Sequence, residues 1–319
     1  MTLLIIDGNP LVYQGYYGGG SDPGLRADGL PTGAVAGYCS RLWELLRERM
    51  RQIRVTHAAV IFDVKGPNWR HKLSADYKST RSAPPDDLAV QLEMARQITP
   101  HFGIRCLGQR GYEADDLIAT YARLNEESGG DTVIVTRDKD IQQLIRPGVR
   151  IHDFMENKWS GDLALMRAGD STIEIEPRLV GDLLALTGDK TDNVAGIPGI
   201  GPKTAAELLK QFGDLETVLA NADLIRQPKR RQALLDFAEQ ARLSRRLVEL
   251  DADVPLRVPL ADLEVYPPNA PALLSALAAL EIVGFARRVA WAFSLRADEA
   301  PPCPAMAAFA DEMMQWRAA

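Results

Sequence analysis

The residues best suited to chemistry in this chain are carboxylates standing at the ends of apolar runs. Leu3-Leu4-Ile5-Ile6 ends on Asp7, Ala58 to Phe62 ends on Asp63, and Thr132 to Thr136 leads into Asp138 and Asp140. Glu113, Asp115 and Asp116 open a helical pattern from Leu117 to Glu127, and Asp189 and Asp192 precede a Gly-rich turn. Singly, each acid suits a turn or the first turn of a helix. Gathered in one place, so many unpaired carboxylates would be too costly to bury, so cations must share the site. Oxygen ligands without His or Cys suit Mg²⁺ or Mn²⁺. Two such ions about 4 Å apart can activate a water and stabilise the leaving oxygen of an in-line displacement. That is the chemistry of phosphodiester hydrolysis.

A phosphate site lies close by in sequence. Gly196-Ile197-Pro198-Gly199-Ile200-Gly201-Pro202-Lys203 is followed by a helical run from Thr204 to Phe212. Glycines let backbone amides approach an anion, and the helix N-terminus adds unpaired N–H groups and partial positive charge. A polar stretch from Lys65 to Asp87 carries Arg70, Lys78 and Arg81, with Trp69 and Tyr77 interleaved. Such a segment can cover the acids, neutralise phosphate charge and orient a scissile bond.

The elements that must position these groups alternate between buried strands and amphipathic helices as far as about His152. That alternation predicts a parallel sheet with helices on both faces, and ligands in such sheets bind beyond the carboxyl ends of the strands. From Pro177 the pattern is helical, and Pro267-Pro268 and Ala300-Pro301-Pro302 read as linker punctuation. The expected organisation is a core over 1–176 with its covering segment at about 65–87, a helical region over 177–296, and a tail over 297–319. No run approaches the roughly 20 apolar residues of a membrane span. The N-terminus lacks the basic region of a signal peptide. Cys39, Cys106 and Cys303 are odd in number and widely spaced, which fits a reducing cytoplasm and neither a disulfide framework nor a zinc site. The net charge of −6 argues against a nucleic-acid partner until the acids assigned to cations are set aside, when the remainder turns positive.

With these residues assembled, the chain resembles the 5′-nuclease family, which includes the nuclease domain of bacterial DNA polymerase I, phage 5′-exonucleases and flap endonucleases. The resemblance rests on LLIIDGN, PTGAVAGY, IFDVKGPNWRHKLSADYKSTR, YEADDLIATYA, TRDKDIQQL and LTGDKTDNVAGIPGIGPKTA, six blocks in order over about Leu3 to Phe293. It implies a PIN-like α/β fold, a helical arch over the site, and a helix-three-turn-helix that grips duplex DNA, with K⁺ held by turn carbonyls. Carried over by motif, Asp7, Asp63, Glu113 and Asp115 resemble a first metal site. Asp116, Asp138, Asp140, Asp189 and Asp192 resemble a second, with Asp115 close to both. Lys78 and Arg81 match the arch pair at the scissile phosphate, and Arg70 sits at its base as a further catalytic candidate. Tyr13 resembles the aromatic that stacks on the terminal base. Gly196, Ile197, Gly199, Gly201, Lys203 and Thr204 would hold the duplex backbone.

The function so implied is a Mg²⁺-dependent, structure-specific 5′→3′ exonuclease and flap endonuclease, removing flaps and primers in replication and repair. The implied protein is a monomer of bacterial type, associated with the nucleoid, with branched or 5′-flap duplex DNA as substrate and a DNA polymerase as a possible partner. It resembles a stand-alone enzyme or an excised domain. Two rivals stand beside this reading: a non-catalytic DNA-junction binder using the same turn, and a PIN-type ribonuclease.

Overall fold

The computed structural model describes residues 1–18 and 24–296, together with 304 and 308. The expected tail over 297–319 therefore lies, apart from those two positions, outside the described residues, as does Cys303. A six-stranded sheet forms the centre, in the order β3-β2-β1-β4-β5-β6. Its strands are β1 (Thr2–Asp7), β2 (His57–Ile61), β3 (Arg105–Leu107), β4 (Asp131–Val135), β5 (Val149–Asp153) and β6 (Lys158–Trp159). The first five run parallel and β6 pairs antiparallel with β5.

The continuous apolar runs become strands because both faces are covered. Leu4, Ile6, Val60 and Val135 point into one core, while Leu3, Ile5, Ile61 and Ile134 point into the other. The first core packs under α1 (Gly8–Gly18) and α2 (Gly33–Ile53). The segment assigned to an arch holds a single helix, α3 (Trp69–Leu73), and then turns over 75–80. After it, α4 (Asp86–Ile98) joins the first core and α5 (Ala114–Glu127) covers the second. The chain therefore reverses its winding between β1 and β4, and the acids fall at that switch point.

A hairpin follows, β7 (Ala164–Ala168) with β8 (Ser171–Ile175), which the sequence pattern did not reveal. It packs with α6 (Val180–Thr187), α7 (Pro202–Phe212), α8 (Leu215–Ala220), α9 (Pro228–Asp236) and α10 (Ala238–Val248) around a separate core. Tyr77 of the covering segment is buried in that same core. The last helices, α11 (Ala270–Ala279) and α12 (Val283–Ala292), return to the first core beside Trp43 and Phe102. A division at 176/177 therefore cuts across the packing at two points, the hairpin and the final helices. No helix of the described residues is long and apolar enough to cross a membrane.

Candidate active site

Each acid is delivered by a distinct element. Asp7 is the last residue of β1, and its Oδ2 accepts a 2.8 Å hydrogen bond from the Thr136 hydroxyl just past β4. Asp63 follows β2 and accepts from the Ala114 backbone N–H at 2.9 Å and from the Asn9 side chain at 3.3 Å. Glu113 is the N-cap of α5, and its own N–H donates to Asp116 at 3.0 Å, so the acidic pair starts the helix it sits on. Asp138 accepts from the Asp140 N–H at 2.9 Å, which folds the Arg137–Asp140 loop back on itself. Asp189 and Asp192 sit on a loop closed by two backbone hydrogen bonds between Asp189 and Val194, at 2.9 and 2.8 Å.

The electrostatics of the cluster divide it into two groups. Burial raises the Asp7 and Asp115 carboxyls well above the usual range, and their neighbours Asp63 and Asp138 push both further. Asp138 is raised by burial and then by Asp192, and Asp140 is pushed up to about 8 by burial and then by Asp138. The outer acids are paired with cations. Lys78 Nζ lies 2.5 Å from Glu113 and 3.6 Å from Asp192, Arg81 pairs with Asp192, and Lys139 lies 2.9 Å from Asp189. Burial acts to raise Asp189, but the hydrogen bond and charge of Lys139 outweigh it and hold the carboxyl low.

As the side chains stand, no three His, Cys, Asp or Glu among the described residues are close enough to hold one ion. The donor set nevertheless fits divalent cations. Asp140 Oδ1 is buried with no hydrogen-bond partner, and burial and mutual repulsion raise all four inner carboxylates although Lys78 and Lys139 act against them at Asp138 and Lys139 at Asp140. Oxygen-only donors suit a hard ion.

Three expected residues are placed elsewhere. Asp116 is fully buried, and both its oxygens accept from Arg70 at 2.8 Å. It also accepts from Trp69 Nε1 at 3.1 Å and from the Asp251 N–H at 3.0 Å, so it has no oxygen to offer an ion. Arg70 is only 1% exposed and donates to the carbonyls of Leu247 and Glu249, at 2.9 and 2.6 Å. It ties the covering segment to α5 and the end of α10 and is closed to a phosphate. Ile197 is 2% exposed, and with Ile200 it anchors the Gly-rich turn in the helical core.

The remaining residues face outward or toward the acids. Tyr13 on α1 lies within the field of Asp63 and Arg81; burial, then Asp63, raises its hydroxyl. Gly199 has φ +78°, with nothing within 4 Å of where a Cβ would stand, and Gly201 is equally open. Lys203 is exposed and Thr204 half-buried on the first turn of α7. Several side chains that orient the acids went unread: Thr136, Asn9, Lys139, Asn68, which donates to Glu113 at 2.8 Å, and Tyr77, whose hydroxyl lies 3.1 Å from both Glu113 and Asp192. All five lie within or beside the quoted motifs, and that proximity was the available signal.

An α/β fold with acids at its switch point and a Gly-rich turn in a helical module defines a class of nucleases, and the comparisons agree. Residues 2–168 match the 5′-3′ exonuclease, N-terminal resolvase-like domain, and residues 175–271 match the 5′-3′ exonuclease, C-terminal SAM fold. The chain belongs to the 5′-3′ exonuclease family. It is 43% identical over 305 residues to DNA polymerase I of Rhizobium leguminosarum, covering 94% of this chain but 29% of that protein. It is 33% identical over 291 residues to a 5′-3′ exonuclease of Aquifex aeolicus, covering 90% of this chain and 95% of that one. Its fold is similar to T5 5′-exonuclease with bound divalent metal ions (zinc), at TM-score 0.64 and 19% identity over 79% of this chain and 90% of that one. The catalytic core of Rad2 in complex with DNA substrate is also similar, at TM-score 0.55 and 14% identity over 88% of each chain.

Proposed function

We propose that this chain is a divalent-metal-dependent 5′→3′ exonuclease and 5′-flap endonuclease acting on duplex DNA. The observation that carries the reading is the gathering of inner carboxylates Asp7, Asp115, Asp138 and Asp140 from three segments of chain at one sheet edge, where burial and mutual repulsion outweigh the charges of Lys78 and Lys139. Asp7, Asp63, Glu113, Asp115, Asp138, Asp140, Asp189 and Asp192 are the residues that would hold two divalent ions, Mg²⁺ or Mn²⁺. When bound, such ions supply Lewis-acid neutralisation of charge on the reacting phosphate.

The chain's own groups do the rest. Lys78 and Arg81 reach the acids from the covering segment and are placed to bind non-bridging oxygens of the scissile phosphate. Tyr13 offers a ring for the terminal base, worth about 1–3 kcal/mol per stacked base. The backbone from Gly196 to Gly201, with Lys203 and Thr204 at the N-terminus of α7, holds duplex phosphates, with K⁺ as the cation of the turn. Flap and primer removal beside a DNA polymerase, by a monomer, is the role this activity fits; the Rhizobium relative is such a polymerase.

The test is cleavage of a 5′-labelled flap duplex in Mg²⁺ and in EDTA, beside a matched single strand and an RNA of the same sequence. Metal-dependent cutting near the junction supports the reading. Tight junction binding without cleavage in Mg²⁺ or Mn²⁺ returns the non-catalytic binder, and preference for single-stranded RNA returns the ribonuclease.

A further inference from the structure

The covering segment carries Lys78, yet its only helix ends at Leu73, five residues earlier. Something other than helical hydrogen bonding must therefore fix the lysine. Lys78 has φ +55°, a left-handed conformation that a side-chain-bearing residue adopts only when its surroundings hold it there. Its backbone N–H donates across to the Asp192 carbonyl at 2.9 Å. The next residue of that loop, Asn193, is also left-handed at φ +54°, and its side-chain amide donates to the Asp76 carbonyl at 2.8 Å and to the Ser79 hydroxyl at 3.1 Å. Two residues of the loop thus hold Lys78 at its own N–H and at the residues flanking it, the Asp76 carbonyl and the Ser79 hydroxyl. Thr191 adds its carbonyl, which accepts from Arg81 Nε at 3.3 Å.

We infer that Asn193 is a positioning residue for Lys78: it clasps the Asp76–Ser79 turn onto the 189–194 loop and so aims the Lys78 amine at the acid cluster. The loop is suited to this task because the Asp189–Val194 hydrogen bonds close it and Ile197, just beyond, is buried. The same short stretch therefore carries the clasp and opens into the duplex-gripping turn at Gly196. The inference rests on the proposed role of Lys78 in cleavage.

Asn193 is exposed, so its replacement spares the core, and glycine keeps the left-handed backbone while deleting only the amide. The experiment compares wild type, Asn193→Gly, Lys78→Ala and the double variant on the flap duplex, with thermal melts and timed trypsin digestion. Asn193→Gly should lower kcat roughly tenfold, the scale of losing hydrogen bonds that orient a charged group, with KM, duplex affinity and melting temperature unchanged. Tryptic cleavage after Lys78 and Arg81 should accelerate. In the Lys78→Ala background the Asn193→Gly change should cost nothing further. Unaltered trypsin resistance would overturn the clasp whatever the activity. A full additional loss in the double variant would overturn the route through Lys78. Faster digestion with Lys78→Ala cutting at the wild-type rate would overturn the inference together with the catalytic reading beneath it.

Discussion

Asp115 and Asp116 are adjacent, yet they have opposite roles, and helix geometry explains why. Consecutive residues of a helix point about 100° apart, so a pair at the start of α5 cannot both face the sheet edge. Asp115 faces the acids, while Asp116 turns to Arg70 and seals the covering segment against α5. The nine acids were legible as a set, but the partner of each was not, because Arg70 meets Asp116 across 46 positions of chain. Asp116→Asn should therefore destabilise the fold by an amount near the lower end of about 3–5 kcal/mol, since it leaves the buried guanidinium with Glu113, 3.3 Å away, in place of a bidentate partner. Asp115→Asn should abolish cleavage and leave DNA binding and the urea midpoint at or above wild type. Equal midpoints for the two variants would undo the distinction. The raised inner carboxyls carry a second prediction. Asp140, at about 8, binds a proton in the native state that the unfolded chain releases near pH 4. Between those values the native state holds more protons, so stability must fall as pH rises. In EDTA the melting temperature should drop from pH 5.5 to pH 8, and Asp140→Asn should flatten the slope. Asp189, held low by Lys139, acts in the opposite sense only at more acid pH. A flat profile in wild type would contradict the assignment.

At the scale of the element, the Gly-rich turn shows two different uses of glycine. A Cβ on Gly196 would fall 2.3 Å from the backbone carbonyl of Thr187, where nothing can yield. Gly199 instead stands in open space at φ +78°. Gly196→Ala should lower both the melting temperature and duplex affinity, because the turn must lift off α6. Gly199→Val should cost about 1–2 kcal/mol in backbone strain while weakening duplex binding in a protein that still folds. Fluorescence anisotropy with a labelled duplex, beside thermal melts, separates the two outcomes; unchanged affinity in both would remove the turn from the interface. The turn was readable because Gly and Pro leave a mark in sequence. The hairpin of β7 and β8 was not, since its five-residue strands alternate with Glu174, Arg167 and exposed Leu165 and carry no long apolar run. The covering segment was readable as basic, but its turns are set by contacts with Asp192 and Asn193 that no local pattern encodes.

At the scale of the whole molecule, the chain leaves the nuclease core near Ala164 and comes back. Pro267-Pro268, which read as a linker, belongs to the returning strap: the Tyr266 N–H donates to the Gly103 carbonyl at 2.9 Å, and Val265 donates to Thr56 at 3.0 Å. Composition gives prolines the same appearance in either role, so only packing distinguishes them. Beyond the strap, Leu273, Leu274, Leu277, Leu280, Phe285 and Val289 are buried in the first core. Phe285 stacks on Phe102 at 6.3 Å and meets Trp43 edge-on at 6.1 Å. The acids stand on strands whose other face this core supports, so the site depends on helices far from it in sequence. Losing a large buried side chain costs roughly 2–5 kcal/mol. Six such losses, about 12–30 kcal/mol together, match or exceed the roughly 5–15 kcal/mol by which domains are typically stable. A chain cut after Leu250 should therefore fail to fold even though every proposed site residue is retained. Cooperative melting of the shorter piece at the full chain's temperature would show instead that the returning helices are an ornament on an independent core.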